Sequence, residues 1–197
     1  MKWYKFDIRD LAADYAKWYA LMSRDKQARV DRFRVEDDKK RTVAGEMLAR
    51  KAIAEWCDVS AESIVFDKTE TGKPYAKGLP VEFNISHSGD MVVCAVDERS
   101  VGIDIEKIRP INLTVAKRIC TDEELVYLFN HTPTERDFVY TTDQALLTRF
   151  FELWTAKEAF GKLKGIGIGE LCSVADKHSA QIKQIVDSEY LICIATN

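Results

Sequence analysis

Three short stretches of this 197-residue chain hold the residue types that can do chemistry. Gly102-Ile103-Asp104-Ile105-Glu106 sets two carboxylates two residues apart. Trp154-Thr155-Ala156-Lys157-Glu158-Ala159-Phe160, with Lys162 beyond it, supplies a third carboxylate between lysines. Asn84-Ile85-Ser86-His87-Ser88-Gly89 adds a histidine among small polar residues. Side chains two apart on a strand share a face, so Asp104 and Glu106 must lie close together. Two such carboxylates repel, and a hard divalent cation, Mg²⁺ or Mn²⁺, relieves that repulsion while leaving coordination positions for phosphate oxygens. The same pattern also fits an ordinary amphipathic strand with a solvated acidic face, so the motif alone leaves both readings open.

The elements that must carry these groups are legible as periodicities. Leu147, Phe151, Trp154 and Glu158 fall in one stripe of a helix predicted over 144–164. A carboxylate that extends an apolar stripe is costly unless it meets a cation or a donor. Lys157 flanks the stripe on one side and Lys162 on the other; the plainer reading of Glu158 and Lys162 is a surface pair one turn apart. His87 follows a strand, where small neighbours would let a phosphate approach, or where it would bond only to its own turn. Basic candidates lie upstream: Lys26, Arg29 and Arg32 form a stripe, Arg41 opens a helix, and Lys73 stands in a Gly-Lys-Pro turn.

Strands are predicted at 2–6, 81–86, 91–96, 101–105 and 190–195, the middle three as a meander. Helices are predicted over 24–33, capped by Ser23, then along Val43, Met47, Leu48, Ala52 and Trp56 after the charged run 34–40, and over most of 112–130. Gly165, Gly167 and Gly169 should stop the long helix. Each half thus pairs a prominent helix with following strands, which predicts an α+β protein of two similar halves, 1–104 and 105–197.

Composition narrows the classes. Net charge is −3, which disfavours a general nucleic-acid binder. No apolar run approaches the roughly 20 residues of a membrane helix. Met1–Asp7 reads as a first strand rather than a secretory leader. The five cysteines are scattered without a Cys-x-x-Cys pair, as expected of free thiols in a reducing cytoplasm. His87, His131 and His178 show no zinc-ligand spacing.

In combination these motifs resemble the 4′-phosphopantetheinyl transferases of the larger, monomeric Sfp type. That family shows a Gly-x-Asp-x-Glu strand and a Trp-x-x-Lys-Glu-Ala/Ser helix followed by a lysine, matched here by 102–106 and 154–162. Gly72-Lys73-Pro74, Asn84–Gly89, and Arg34-Val35-Glu36-Asp37 followed by Arg41 resemble its earlier blocks. The resemblance covers roughly residues 24–169. It implies two α+β halves related by a pseudo-twofold axis, with coenzyme A and Mg²⁺ in the cleft between them. It implies transfer of the phosphopantetheine arm of coenzyme A to a serine of an apo acyl or peptidyl carrier protein, releasing adenosine 3′,5′-bisphosphate.

The roles carried over are equally specific. Asp104, Glu106 and Glu158 would hold the metal. Glu158, or a water beside the metal, would take the serine proton. Lys162, with Lys157 in support, would neutralise the leaving phosphate. Ser86 and His87 would bind the coenzyme A phosphates, Arg41 and Lys73 the adenosine end, and Lys26 and Arg29 the 3′-phosphate; Arg29 stands where a lysine is common. Only 28 residues follow Gly169, short for this type, which is expected to affect substrate scope rather than chemistry. The stretch 112–129 matches the region where relatives meet the carrier. Two other readings stay open on the same residues: a Mg²⁺-dependent nucleotide pyrophosphate hydrolase, and a non-catalytic regulator that binds coenzyme A or carriers.

Overall fold

The computed structural model describes residues 1–70, 72–166 and 180–197. In chain order its elements are β1 (Lys2–Asp7), α1 (Tyr15–Ala20), α2 (Arg24–Asp31), α3 (Glu36–Cys57), β2 (Phe66–Lys68), β3 (Pro74–Ala76), β4 (Glu82–Ser88), β5 (Met91–Asp97), β6 (Val101–Lys107), β7 (Ile111–Asn112), α4 (Ala116–Ile119), α5 (Asp122–Phe129), β8 (Tyr140–Thr141), α6 (Gln144–Lys164), β9 (Gln181–Asp187) and β10 (Tyr190–Thr196). Helix and sheet are mixed, as the expected α+β class requires.

Two antiparallel three-stranded sheets, ordered β1-β5-β4 and β6-β10-β9, form the centre. Each has one long helix against it. Alternation along β5 explains the layering: Val92, Cys94 and Val96 pack with Val43, Met47 and Ile53 of α3, whereas Val93 and Ala95 face the other way. There they meet Ile103 and Ile105 of β6 and Tyr190, Ile192 and Ile194 of β10. The opposite parity of β10, Cys193 and Ala195, packs on Ala159, Phe160 and Leu163 of α6. The two sheets therefore share an apolar interior that neither can bury alone.

The long helices begin and end for identifiable reasons. Helix α3 carries Glu36, Asp37 and Asp38 in its first turn, where carboxylates complement the helix dipole. The charged run 34–40, expected to precede the helix, is thus largely its opening. Asp143 caps α6 by accepting from the Leu146 N–H at 2.8 Å, and Gly165, at φ +72°, ends it in the left-handed conformation. Gly167, Gly169, Thr71, Cys172 and His178 lie outside the described residues.

One expectation is corrected. The three middle strands do not form a meander: β4 pairs with β5, while β6 pairs with β10. The chain changes sheet in the turn at Glu98–Ser100, and residues 104 and 105 both lie on β6. The stretch 112–130 is mostly helical, as expected, but in separate pieces. It breaks after Ile119, where Cys120 is extended, and Thr121 caps a separate α5 through a reciprocal box with Glu124. No described helix is long and apolar enough to cross a membrane.

Candidate active site

The site grows from the seam between β4 and β6. These strands run side by side without a backbone ladder between them, and side chains of β4 take the ladder's place. Asn84 Oδ1 accepts from the Ile103 N–H at 2.9 Å. Ser86 Oγ donates to Asp104 Oδ1 at 2.7 Å. Ser88 Oγ donates to Glu106 Oε2 at 2.7 Å and accepts from the Lys107 N–H at 3.1 Å. Residues 84, 86 and 88 share one face of β4, so the alternation of the sequence is what closes the seam.

Helix α6 closes the site from the other side, and Gly102 lets it approach. A Cβ at Gly102 would sit 1.9 Å from the Ala159 carbonyl oxygen and 2.6 Å from the Leu163 nitrogen. Only a glycine admits that contact of helix backbone on strand. The face of β6 that carries Gly102 and Asp104 therefore meets a helix rather than solvent. The contact sets Lys162 against β6, where its ammonium donates to Asp104 Oδ1 at 2.6 Å, Ser86 Oγ at 2.9 Å and the Ile103 carbonyl at 3.2 Å. Three donors thus meet three acceptors.

Asp104 is only 4% exposed, and its second oxygen, Oδ2, is buried with no hydrogen-bond partner. Burial raises its pKa above the ordinary value; Lys162 and Ser86 oppose that shift and Glu106 adds to it. Glu158, half-buried one turn before Lys162, is raised by the same cause; Lys162 lowers it, while the charges of Asp104 and Glu106 raise it further. The three carboxylates thus feel one another across the seam. Among the described residues no three such side chains converge as a ready metal site. Lys162 takes the lone pairs of Asp104 Oδ1, and Ser88 and Arg109, the latter at 3.2 Å, take those of Glu106 Oε2. The donor chemistry nonetheless fits a hard divalent cation: three carboxylates, all oxygen donors, with one buried anionic oxygen unused.

His87 lies between the seam serines on β4, on the strand's other face. Its ring is exposed, yet enough protein surrounds it that desolvation, followed by the charges of Arg41 and Lys162, lowers its pKa. Arg41 reaches the next turn, donating to the Gly89 carbonyl at 2.7 Å and to Asp38 at 2.6 Å.

Of the residues singled out in the sequence, the structure brings together Arg41, Ser86, His87, Asp104, Glu106, Glu158 and Lys162. Four others lie elsewhere. Lys157 is 3% exposed and meets Glu124 of α5 at 2.8 Å. Lys26 pairs with the buried Glu46, which also holds Arg50 at 2.8 Å. Arg29 is exposed, its guanidinium 5.8 Å from the centre of the Phe33 ring. Lys73 pairs with Glu82 at 2.8 Å, at the end of β4 away from His87. Asn84, Ser88 and Gly102 lay within the quoted motifs, but their bridging and packing roles were missed. The polar alternation of β4 was the available signal for the first two.

Residues 9–99 match a family model described as 4′-phosphopantetheinyl transferase, N-terminal, and residues 100–195 one described as 4′-phosphopantetheinyl transferase superfamily. The chain is 44% identical over 149 residues to 4′-phosphopantetheinyl transferase psf-1 of Bacillus pumilus, an overlap of 75% of this chain and 60% of the relative. It is 37% identical over 153 residues to 4′-phosphopantetheinyl transferase Sfp of Bacillus subtilis, covering 77% and 64%. A third relative, from Xenopus laevis and named L-aminoadipate-semialdehyde dehydrogenase-phosphopantetheinyl transferase, is 33% identical over 74% of this chain and 50% of its own. The aligned part thus spans between half and two thirds of these relatives' length. The two family models adjoin at the turn where the chain changes sheet, and between them they account for nearly all of it: the chain belongs to the 4′-phosphopantetheinyl transferase superfamily.

Proposed function

We propose that this protein transfers the 4′-phosphopantetheine arm of coenzyme A to a serine hydroxyl of an apo acyl or peptidyl carrier protein, with Mg²⁺ or Mn²⁺ as cofactor, releasing adenosine 3′,5′-bisphosphate. The observation that carries the reading is the Asp104 carboxylate, buried between two serine-bearing and lysine-bearing elements with one oxygen left without a donor. A buried anionic oxygen is costly unless a cation meets it. Asp104, Glu106 and Glu158 would hold that cation, which when bound withdraws charge from the pyrophosphate.

The chain's own residues supply the rest. The carrier serine oxygen forms a bond to the phosphorus bearing the pantetheine arm, and the bond from that phosphorus to the bridging oxygen breaks. Glu158, whose pKa desolvation raises above the ordinary carboxylate value, takes the serine proton. Lys162 places its positive charge beside the leaving phosphate. His87, held neutral by its lowered pKa, donates a ring N–H to a phosphate oxygen, with Arg41 alongside. Ser86 acts by holding Asp104. The assignment of Lys26 and Arg29 to the 3′-phosphate, and of Arg41 and Lys73 to the adenosine end, rests on the family resemblance.

The test is intact-mass spectrometry of apo carrier proteins incubated with this protein, coenzyme A and Mg²⁺. The expected result is a gain of one phosphopantetheine group that EDTA abolishes. Release of adenosine bisphosphate without a carrier would mark a hydrolase instead. Coenzyme A binding with no turnover on fatty-acid, polyketide or peptide carriers would contradict the transfer reading.

A further inference from the structure

Resting on the coenzyme A reading above, we infer that Tyr190 is a positioning residue for the phosphate-binding segment around His87. It would act through the Ser88-Gly89-Asp90 turn and touch no substrate itself. Tyr190 belongs to β10, outside every motif that pointed to the site. Its ring lies in the apolar interior between the sheets, 8% exposed. Its hydroxyl leaves that interior and accepts from the Asp90 N–H at 3.1 Å. A phenylalanine would fill the same space, so the hydroxyl's work is at the turn.

That turn is held from several directions at once. The Asp90 carbonyl accepts from the Ile8 N–H at 2.8 Å. The Gly89 carbonyl accepts from Arg41 of α3 at 2.7 Å. Gly89 itself has φ +54°, and a Cβ there would sit 2.7 Å from the Tyr190 hydroxyl and 3.1 Å from Lys107 Cδ. Just upstream, Ser86 and Ser88 are tied to the carboxylates of β6. Within 86–90, His87 alone is exposed. Fixed neighbours on both sides and one open imidazole make a preorganised anion contact, whose ordering cost is met before ligand arrives. Tyr190 is the part of that clasp supplied by the second sheet, so it couples the register of the two sheets to the position of His87.

The experiment is Tyr190→Phe, which keeps the ring and its packing. Calorimetric titration should show coenzyme A and adenosine 3′,5′-bisphosphate each binding about tenfold more weakly, the size of one lost hydrogen bond. At saturating coenzyme A, kcat should stay within about twofold and KM for the carrier should be unchanged. Hydrogen exchange at the Asp90 amide should quicken without ligand present. Gly89→Ala, which displaces the same hydroxyl, should reproduce the weaker binding. A merely structural tyrosine would lower the Tm and leave the coenzyme A affinity of the folded fraction intact, and that result would overturn the assignment. Wild-type protein that binds no coenzyme A would overturn the reading beneath it and this assignment together. Wild-type binding with an unchanged variant overturns the assignment alone.

Discussion

Helix α6 carries two lysine–carboxylate pairs only five residues apart, and they do opposite things. Lys157 meets Glu124 at 2.8 Å with both side chains nearly sealed, 3% and 10% exposed. Glu124 also accepts from the Thr121 N–H at 2.9 Å, so this pair joins α6 to the cap of α5. Lys162 meets Asp104 at 2.6 Å, but the lysine is 26% exposed and the aspartate keeps a buried oxygen without a partner. One pair is closed and structural in its geometry. The other keeps an oxygen without a donor and feels the charge of Glu106. Identical chemistry on one helix is thus divided by what surrounds it, and a reading by residue type alone would assign both lysines to the substrate.

The largest expected effect separates the pairs by activity. Asp104→Asn should reduce transfer by at least about a thousandfold, the scale of losing a preorganised charged group at the reacting phosphate. Its Tm should change by only a few degrees, because a desolvated carboxylate is removed. Gly102→Ala comes next. Its Cβ collides with the Ala159 backbone, so α6 must shift, costing roughly 1–3 kcal/mol of stability and about a hundredfold in kcat as Glu158 and Lys162 move off their positions. Denaturant unfolding and single-turnover transfer would measure the two losses.

Lys157→Met should do the reverse of Asp104→Asn. It removes a cation from the buried Glu124 and should cost about 3–5 kcal/mol of stability, while transfer by the folded protein falls far less than in Asp104→Asn. Adding Glu124→Leu should recover most of the stability, since a buried pair replaced by apolar residues is often neutral. A cycle of the two single variants and the double one would show it.

The smallest effect is a pH dependence in protein stripped of divalent ions. Asp104 and Glu158 have folded pKa values raised above their ordinary 3.8 and 4.5. A raised folded pKa contributes stability that is fully present below the unfolded value and lost as pH rises through the folded one. Tm in EDTA should therefore fall relative to Asp104→Asn as pH climbs from about 4 towards neutrality. A gap that does not change with pH would contradict the desolvated state of Asp104.

Much of this arrangement was legible because it depends on local period. The two-residue spacing of Asp104 and Glu106 and the stripe that ends in Glu158 follow from strand and helix geometry. The start of α3 was misplaced and the break at Cys120 was not foreseen, because acidic first turns and capping boxes look like charged loops until the helix is seen. The partners of Lys157, Lys26 and Lys73 were not legible, since each is a carboxylate brought in by tertiary packing from another segment. The clearance at Gly102 shows the same division: the glycine was visible in the motif, but the helix backbone it admits was not.

The most direct test of the division between the two pairs sets three proteins side by side: wild type, Asp104→Asn and the Lys157→Met/Glu124→Leu double variant. Each would be incubated below its own Tm with coenzyme A, Mg²⁺ and an apo carrier, and the carrier weighed intact. The account predicts phosphopantetheine addition by wild type and the double variant, and none by Asp104→Asn. Addition by Asp104→Asn at the wild-type rate, or its loss in a folded double variant, would contradict it.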